Sequence, residues 1–165
     1  MAVLSDATIQ RLIKQGTLAI QPFQAEDLTP NGVDLRIGEV LLPEVEGGPV
    51  KVEEGTATIP GRERFLISTQ EVVTLGEEIA GQLWIRSTYA RKGVLAAFGK
   101  VEAGFSGTLT IGCFNASKQP LELPIGERFC QLAFEAMTEA AEALYEERSG
   151  TYQGQRGVTL APDSS

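Results

Sequence analysis

Two arginines and two hydroxyl side chains lie close together in one short segment of this sequence. Arg86 and Arg91 are five residues apart and flank Ser87 and Thr88. Guanidinium groups match the geometry of phosphate oxygens, and hydroxyl groups add hydrogen-bond donors. The segment therefore predicts a site for a phosphorylated small molecule. The alternative interpretation is a solvated helical turn whose surface charges contribute little.

A lone acidic residue, Glu102, follows in a glycine-rich turn between Gly99 and Gly104. The residues on either side of this turn alternate in the manner of β-strands. A turn of this kind, close to the arginine segment, would hold a phosphorylated ligand against the rim of a β-barrel.

The composition excludes several kinds of function. The chain has 165 residues, a formal charge of −8, 42% hydrophobic residues and no histidine. Without histidine there can be no His-based triad, no H-E-x-x-H zinc site and no His-containing zinc deaminase site. Because an acidic chain is a poor non-specific partner for nucleic acid, no nucleic-acid partner is expected, and any anion must meet locally clustered basic groups.

The sequence predicts one cytoplasmic domain over residues 1–165, with no membrane partner. No stretch approaches the apolar length of a membrane span, and no secretory signal is visible. Cys113 and Cys130 both lie in apolar, strand-like runs. We expect them to be buried, reduced thiols of a cytoplasmic protein.

The predicted fold is mainly β, with a short N-terminal helix and few other helical turns. The helix, over 5–15, has an apolar face containing Ile9 and Ile13, with Ser5 to cap its start and Gly16 to end it. From residue 65 onward, evenly spaced short strands predict a closed sandwich or barrel. These strands cover 65–69, 72–75, 79–85, 93–98, 109–115, 121–123 and 129–136.

The remaining segments are less regular. Residues 33–37 alternate between apolar and charged side chains, as a half-buried strand does, and 44–64 predict an acidic excursion with short strands. Residues 87–92 predict one helical turn, and 138–147 have helical composition but could be extended. The polar, glycine-rich tail from about 149 predicts a flexible segment that orders on a ligand. The alternative is a frayed terminus.

Six motifs along nearly the whole chain together resemble the dCTP deaminases, including the bifunctional dCTP deaminase/dUTPase forms, within the dUTPase-like superfamily. The resemblance implies a distorted β-barrel of the dUTPase-like β-clip type and a homotrimer with active sites between subunits. It also implies dCTP or dUTP as the ligand, with Mg²⁺ on the nucleotide phosphates. The motifs are Leu4-Ser5-Asp6, Pro30-Asn31-Gly32-Val33-Asp34-Leu35-Arg36-Ile37-Gly38, Arg86-Ser87-Thr88-Tyr89-Ala90-Arg91-Lys92-Gly93, Gly104-Phe105-Ser106-Gly107, Gly126-Glu127-Arg128-Phe129-Cys130-Gln131-Leu132 and Tyr152-Gln153-Gly154-Gln155-Arg156-Gly157.

The resemblance also implies roles for individual residues. Ser87 and Arg91 match the segment that binds phosphates and positions water, and Glu102 is the implied catalytic base. Gln155 matches a residue of the tail that closes over the nucleotide. No residue is expected to ligate the metal directly. The residues implied to bind the nucleotide are Arg86, Ser87, Thr88, Tyr89, Ala90, Arg91, Glu102, Thr110, Ile111, Gly112, Gln131, Tyr145 and Gln155.

Four features depart from the family pattern. Gly112 stands where the deaminases carry a general-base glutamate, and glycine cannot accept a proton. Glu102 replaces an aspartate that contacts the sugar and, in dUTPases, activates water; its extra methylene displaces the carboxylate. Thr151 replaces a tail lysine that contacts phosphates. The hairpin over 93–102, which frames the pyrimidine, is shorter than in the family.

Three functional hypotheses follow from these departures. The first is an enzyme of pyrimidine deoxynucleotide metabolism, a zinc-independent hydrolase of the dCTP deaminase or dUTP diphosphatase type that acts on dCTP and/or dUTP, with Glu102 as the candidate base for pyrophosphate release. The second is a catalytically inactive, nucleotide-binding homotrimer. The third is a partner-binding barrel of the same fold whose pocket is filled by side chains.

Overall fold

The computed structural model describes residues 2–163, which fold mainly into β-strands. Three helices accompany the strands: α1 (Asp6–Gln15), α2 (Ser87–Arg91) and α3 (Tyr145–Arg148). The strands are β1 (Ala2–Val3), β2 (Leu18–Gln21), β3 (Leu28–Thr29), β4 (Gly32–Leu42), β5 (Val50–Val52), β6 (Thr56–Ile59), β7 (Arg64–Thr69), β8 (Val72–Leu75), β9 (Ile79–Ile85), β10 (Val94–Ala97), β11 (Lys100–Val101), β12 (Ser106–Gly107), β13 (Thr110–Asn115), β14 (Leu121–Pro124) and β15 (Arg128–Ala136).

One strongly curved sheet of ten strands forms most of the barrel. Its main path runs β10–β13–β7–β4–β15–β9–β11, while β1 pairs with β15, and β3 and β5 pair with β4. Two smaller sheets, β12–β8–β2 and β14–β6, complete the fold. All strand pairs are antiparallel. The mainly-β, barrel-like fold predicted from the sequence is confirmed.

Helix α1 ends at the predicted residue and begins one residue later than predicted, at Asp6, with Ser5 as its cap. The Ser5 side chain accepts a hydrogen bond from the Thr8 N–H, and Gly16 closes the helix in the left-handed conformation, with φ of 77°. The side chain of Ile9 is fully buried and fixes the helix against the barrel.

The core is formed by the inward-facing residues of alternating strands. Phe65, Phe129 and Phe134 are fully buried. Cys113 and Cys130 are also buried, and neither forms a disulfide. Burial raises the pKa of the Cys113 thiol to about 12 and that of Cys130 well above its ordinary value. The predicted burial of both thiols is confirmed, and their assignment as reduced thiols of a cytoplasmic protein stays a prediction.

Strand β4 differs from its predicted pattern of a buried face and a solvated, charged face. Asp34 is only 6% exposed, although it occupies a position where the alternation predicted an exposed charge. Its partner is an arginine distant in sequence, which local periodicity does not reveal. The burial of Asp34 therefore depends on a tertiary contact, which the local sequence pattern does not show.

Outside the main sheet, the excursion over 44–64 contains β5 and β6, as expected. Of the stretch with helical composition over 138–147, only its last residues, from Tyr145, belong to a helix. None of the helices formed by residues 2–163 combines the length and the hydropathy that a membrane crossing requires.

Candidate functional site

The arginine segment lies where β9 passes into α2. Arg86 is the N-cap residue, with extended dihedrals of φ −67° and ψ 137°, and the five residues after it form the helix. Gly93, with φ of 89°, turns the chain towards β10. Ser87, Thr88 and Arg91 are exposed on this turn, as is Ala90.

Tyr89 anchors the turn to the core. Its side chain is 2% exposed, its hydroxyl donates a 2.5 Å hydrogen bond to Glu127 Oε2, and its ring centroid lies 4.8 Å from that of Phe129. Burial and the Glu127 carboxylate raise the pKa of Tyr89, so its hydroxyl remains protonated. The side chain of Tyr89 thus supports the predicted nucleotide-binding segment from beneath.

Arg86 is held by two groups from neighbouring strands. Its Nε lies 3.1 Å from Oδ2 of Asp34, and its Nη1 donates a 3.3 Å hydrogen bond to the carbonyl of Arg128. By contrast, Arg91 forms no ion pair with any residue in the range 2–163. One guanidinium is therefore fixed and the other is available to an external anion.

Gln131 lies in the strand between these two partners. On β15 it pairs with Asp34 of β4 on one side and with Trp84 of β9 on the other. Its Nε2 donates a 2.9 Å hydrogen bond to the Thr29 hydroxyl. Gln131 and Arg86 therefore belong to the same region of the sheet.

A network of buried charges supports this region. Asp27 is 4% exposed and pairs with Arg36 at 2.7 Å and with Arg128 at 2.5 Å. A buried carboxylate is tolerated when charged partners and hydrogen bonds satisfy it. The network fixes the strand whose carbonyl group accepts from Arg86.

Glu71 is a second buried acid close to the network. It is 2% exposed, and its Oε2 accepts a 2.9 Å hydrogen bond from the Arg36 backbone N–H. Burial raises its pKa from 4.5 to about 7, and the Asp27 charge contributes in the same direction. Its charge state therefore changes near neutral pH.

A second group of predicted residues lines one cavity of about 150 Å³. Glu102, Thr110, Tyr145 and Gln155 all contribute to its walls. Glu102 is exposed in the turn between β11 and β12, where Gly104 adopts a φ of 81°. The cavity combines a carboxylate, a hydroxyl, a phenol and an amide.

The C-terminal tail closes one side of this cavity. The Gln155 amide donates a 2.6 Å hydrogen bond to the Thr108 carbonyl, and the Thr108 N–H donates back to the Gln155 carbonyl at 3.0 Å. Further along, the Val158 N–H donates to Glu39 Oε2 at 2.8 Å, and the Thr159 N–H donates to Thr110 Oγ1 at 3.0 Å. The tail is thus docked on the rest of its own chain. The prediction that it is flexible and orders on a ligand stays a prediction.

Apart from Ile111 and Gly112, the predicted site residues consequently fall into two groups in this chain. Arg86 and Gln131 belong to one group, and the residues around Glu102 form the other. Neither Arg86 nor Gln131 lines the cavity that contains Glu102. The side chain of Ile111, another predicted residue, is 1% exposed and faces the core.

Comparison with known proteins identifies the family. Residues 3–137 match the family model described as dCTP deaminase-like. A dCTP deaminase of Thermococcus gammatolerans is 43% identical over 145 residues, which cover 87% of this chain and 89% of the relative. A dCTP deaminase of Pyrococcus horikoshii is 43% identical over 138 residues, covering 83% and 85%. The chain belongs to the dCTP deaminase-like family.

Solved structures show the same fold at lower identity. The dCTP deaminase of Agrobacterium tumefaciens superposes with a TM-score of 0.65 and 18% identity, over 81% of this dCTP deaminase-like chain and 47% of that chain. The EIAV dUTPase superposes with a TM-score of 0.53 and 21% identity, over 80% and 98%. A dUTPase of phage phi11 of S. aureus, whose structure was used to describe a structural Mg(II) ion, has a TM-score of 0.55 and 19% identity, over 81% and 99%.

Position 112 of this dCTP deaminase-like chain lies on the outward face of β13. Residues of β13 alternate in burial, so Thr110, Gly112 and Phe114 share one face. Gly112 pairs with Ala97 across the β10–β13 hairpin, and no atom lies within 4 Å of where a Cβ would stand. A longer side chain at position 112 would therefore find open space on the face that carries Thr110.

Sequence reasoning did not select three residues that the structure places beside the predicted ones. Asp34 pairs with Arg86, Thr108 pairs with Gln155, and Glu39 holds the end of the tail. The only local signal was a charged residue within an apolar strand, at Asp34 and again at Glu39. Such a signal shows that a partner is needed without showing which one.

Proposed function

We propose that this chain forms a homotrimer that hydrolyses a Mg²⁺-bound pyrimidine deoxynucleoside triphosphate, dUTP or dCTP, to the monophosphate and pyrophosphate. The observation that carries the proposal is the exposed Glu102 carboxylate in a cavity shared with Thr110, Tyr145 and Gln155. At Gly112, in contrast, no group can accept a proton. Pyrophosphate release is therefore favoured over deamination.

In the proposed reaction, Glu102 removes a proton from a water molecule, and the resulting hydroxide attacks the α-phosphorus. The bond between the α-phosphorus and the oxygen that bridges to the β-phosphate breaks, and this oxygen leaves with pyrophosphate. The proton remains on Glu102 until it is lost to solvent. Arginine side chains stabilise the charge that develops on the leaving group.

The arginines of one subunit are proposed to serve the Glu102 cavity of its neighbour. Two observations support a site between subunits. The arginine segment does not line the Glu102 cavity of its own chain, and large apolar side chains next to that segment are exposed, Trp84 by 58% and Leu95 by 62%. Exposed aromatic and aliphatic groups of this kind mark association surfaces. Light scattering should give three times the 17.7 kDa chain mass.

Incubation with dUTP or dCTP and Mg²⁺, assayed separately for pyrophosphate and ammonia, tests the reaction. We expect pyrophosphate without ammonia. Glu102→Gln should lower pyrophosphate release by about 10²-fold or more, because a positioned base contributes at least that much. Glu122→Gln, which changes an exposed glutamate of β14, is the matched control. Full activity of Glu102→Gln would refute the assignment of the base.

Mixed trimers test whether the sites lie between subunits. Arg91→Ala and Glu102→Gln chains, each strongly impaired alone, should regain activity when co-expressed. A site that takes Arg91 from one subunit and Glu102 from the next is intact in about a quarter of the positions of randomly mixed trimers. No recovery would place both residues in one subunit's site.

Gly112→Glu tests the interpretation of the missing acid. Because the outward face at position 112 is open, the substituted carboxylate can be accommodated without a backbone clash. We expect ammonia release from dCTP to appear in this variant. Its absence would identify the shortened hairpin as a second reason for the loss of deamination.

A catalytically inactive nucleotide-binding trimer is the second candidate. Among residues 2–163, no hydrogen bond or ion pair orients the Glu102 carboxylate, which favours a binding role. In that case dUTP would raise the melting temperature without turnover. Ligand at tenfold the dissociation constant stabilises by about 1.4 kcal/mol. A partner-binding barrel would show no nucleotide-dependent shift. In each case, reduced thiols fit a cytoplasmic protein.

A further inference from the structure

We propose that Asp34 is a positioning residue that fixes the guanidinium of Arg86 for a triphosphate ligand. This inference rests on the proposed function, because it concerns the same anion site. Asp34 lies on β4 and Arg86 follows β9, with β15 between them in the sheet. The Arg86 side chain therefore crosses one strand to reach its partner, and its Nε lies 3.1 Å from Asp34 Oδ2.

The contacts leave one edge of the guanidinium free. Asp34 occupies Nε, and the Arg128 carbonyl accepts from Nη1 at 3.3 Å. A guanidinium has five N–H donors in a rigid fork, so these two contacts leave further donors unused. The Arg86 side chain is 36% exposed while that of Asp34 is 8% exposed, so the arginine keeps contact with solvent although its partner is buried.

Asp34 is itself held in place. Burial raises its pKa, while the charges of Arg86 and Arg128 act in the opposite direction. Gln131 is its neighbour across the strand pair, and Asp27 adds a second negative charge nearby. A carboxylate fixed on a central strand can define the plane of a long, flexible arginine side chain, which reduces the ordering cost of binding a ligand.

Simple electrostatics and positioning make opposite predictions for the loss of Asp34. If the acid acted only through its charge, its removal would strengthen the binding of an anion. If it acts by orienting Arg86, its removal weakens binding even though a negative charge has been lost. The sign of the change therefore separates the two explanations.

Calorimetric titration with Mg²⁺–dUTP and with inorganic tripolyphosphate measures this sign. We expect Asp34→Ala to weaken both by about tenfold, the size expected for the loss of one partly buried ion-pair partner. Asp34→Asn, whose amide oxygen can still accept from Nε, should lie between the wild type and Asp34→Ala. In the Arg86→Ala background, Asp34→Ala should cause no further loss, because its effect passes through Arg86.

Glu71→Gln is the matched control, because it also removes a deeply buried carboxylate but one that contacts the Arg36 backbone instead of Arg86. We expect this variant to bind both probes as the wild type does. Unchanged or tighter binding by both Asp34 variants, or additive losses in the double variant, would overturn the inference alone. A wild-type protein that binds neither probe would overturn the proposed function and this inference together.

Discussion

The buried acid Glu71 makes the stability of the fold depend on pH, and Glu71→Gln should remove this dependence. Glu71 is 2% exposed and has one hydrogen-bond donor from the Arg36 backbone. Burial disfavours its ionised form and raises its pKa from 4.5 to about 7. Glutamine keeps the size and the acceptor oxygen of the protonated acid but cannot ionise.

The magnitude follows from the size of the shift. Because the pKa is raised on folding, the folded state holds the proton more tightly than the unfolded chain does. The stabilisation is therefore complete below about pH 4.5 and is lost as the pH rises through about 7. A shift from 4.5 to about 7, at 1.36 kcal/mol per unit, corresponds to about 3 kcal/mol.

Urea unfolding of both proteins between pH 4.5 and pH 8 measures this contribution. The free energy of unfolding of Glu71→Gln, relative to the wild type, should increase by about 3 kcal/mol across this range. Glu54→Gln, which alters an exposed loop glutamate, provides the control and should parallel the wild type. Parallel curves for Glu71→Gln would mean that folding does not raise the pKa of Glu71, contrary to the effect of burial.

Three further variants test other parts of the structure. Arg91→Ala should weaken dUTP binding by about 1.5–3 kcal/mol in calorimetry, because charge-assisted hydrogen bonds are lost; unchanged affinity would remove Arg91 from the phosphate site. Gly157 has a φ of 64°, and a Cβ at this position would clash with the Glu39 carboxylate. In Gly157→Ala, amide exchange over 153–159 should therefore accelerate about tenfold or more. Equal exchange would show that the tail does not depend on this contact. Asn115→Ala removes donors to three backbone carbonyls at a fully buried position. This substitution should lower the free energy of unfolding, measured in urea, by about 3 kcal/mol. A decrease below about 1 kcal/mol would show that these hydrogen bonds contribute less than expected.

Much of the fold was predictable because its signals are local. The limits of α1 follow from a serine cap, an apolar face and a terminal glycine, all within residues 5–16. Strands β8 and β9 begin and end at the predicted residues, since their alternation is regular and turns flank them. The short helix α2 was also expected, within one residue.

The charged interior was less predictable because its partners are distant in sequence. Asp34 and Arg86 are brought together only by the order of β4, β15 and β9 in the sheet. Similarly, Glu39 meets the tail through a contact that spans 119 residues. Residue type identified the arginine segment as a potential anion site, but sheet topology decides which of its arginines is restrained and which is free.

The two buried thiols are native chemical probes for the transient opening of the sheet. Iodoacetamide reacts with thiolates, and burial suppresses both the access and the ionisation of Cys113 and Cys130. Alkylation must therefore follow transient separation of the strand that carries each thiol. One thiol reports on β13, beside Gly112, and the other on β15, beside Gln131. If a ligand slows labelling at both positions, its binding makes the separation of both strands less frequent. This measurement needs no added dye and no engineered cysteine.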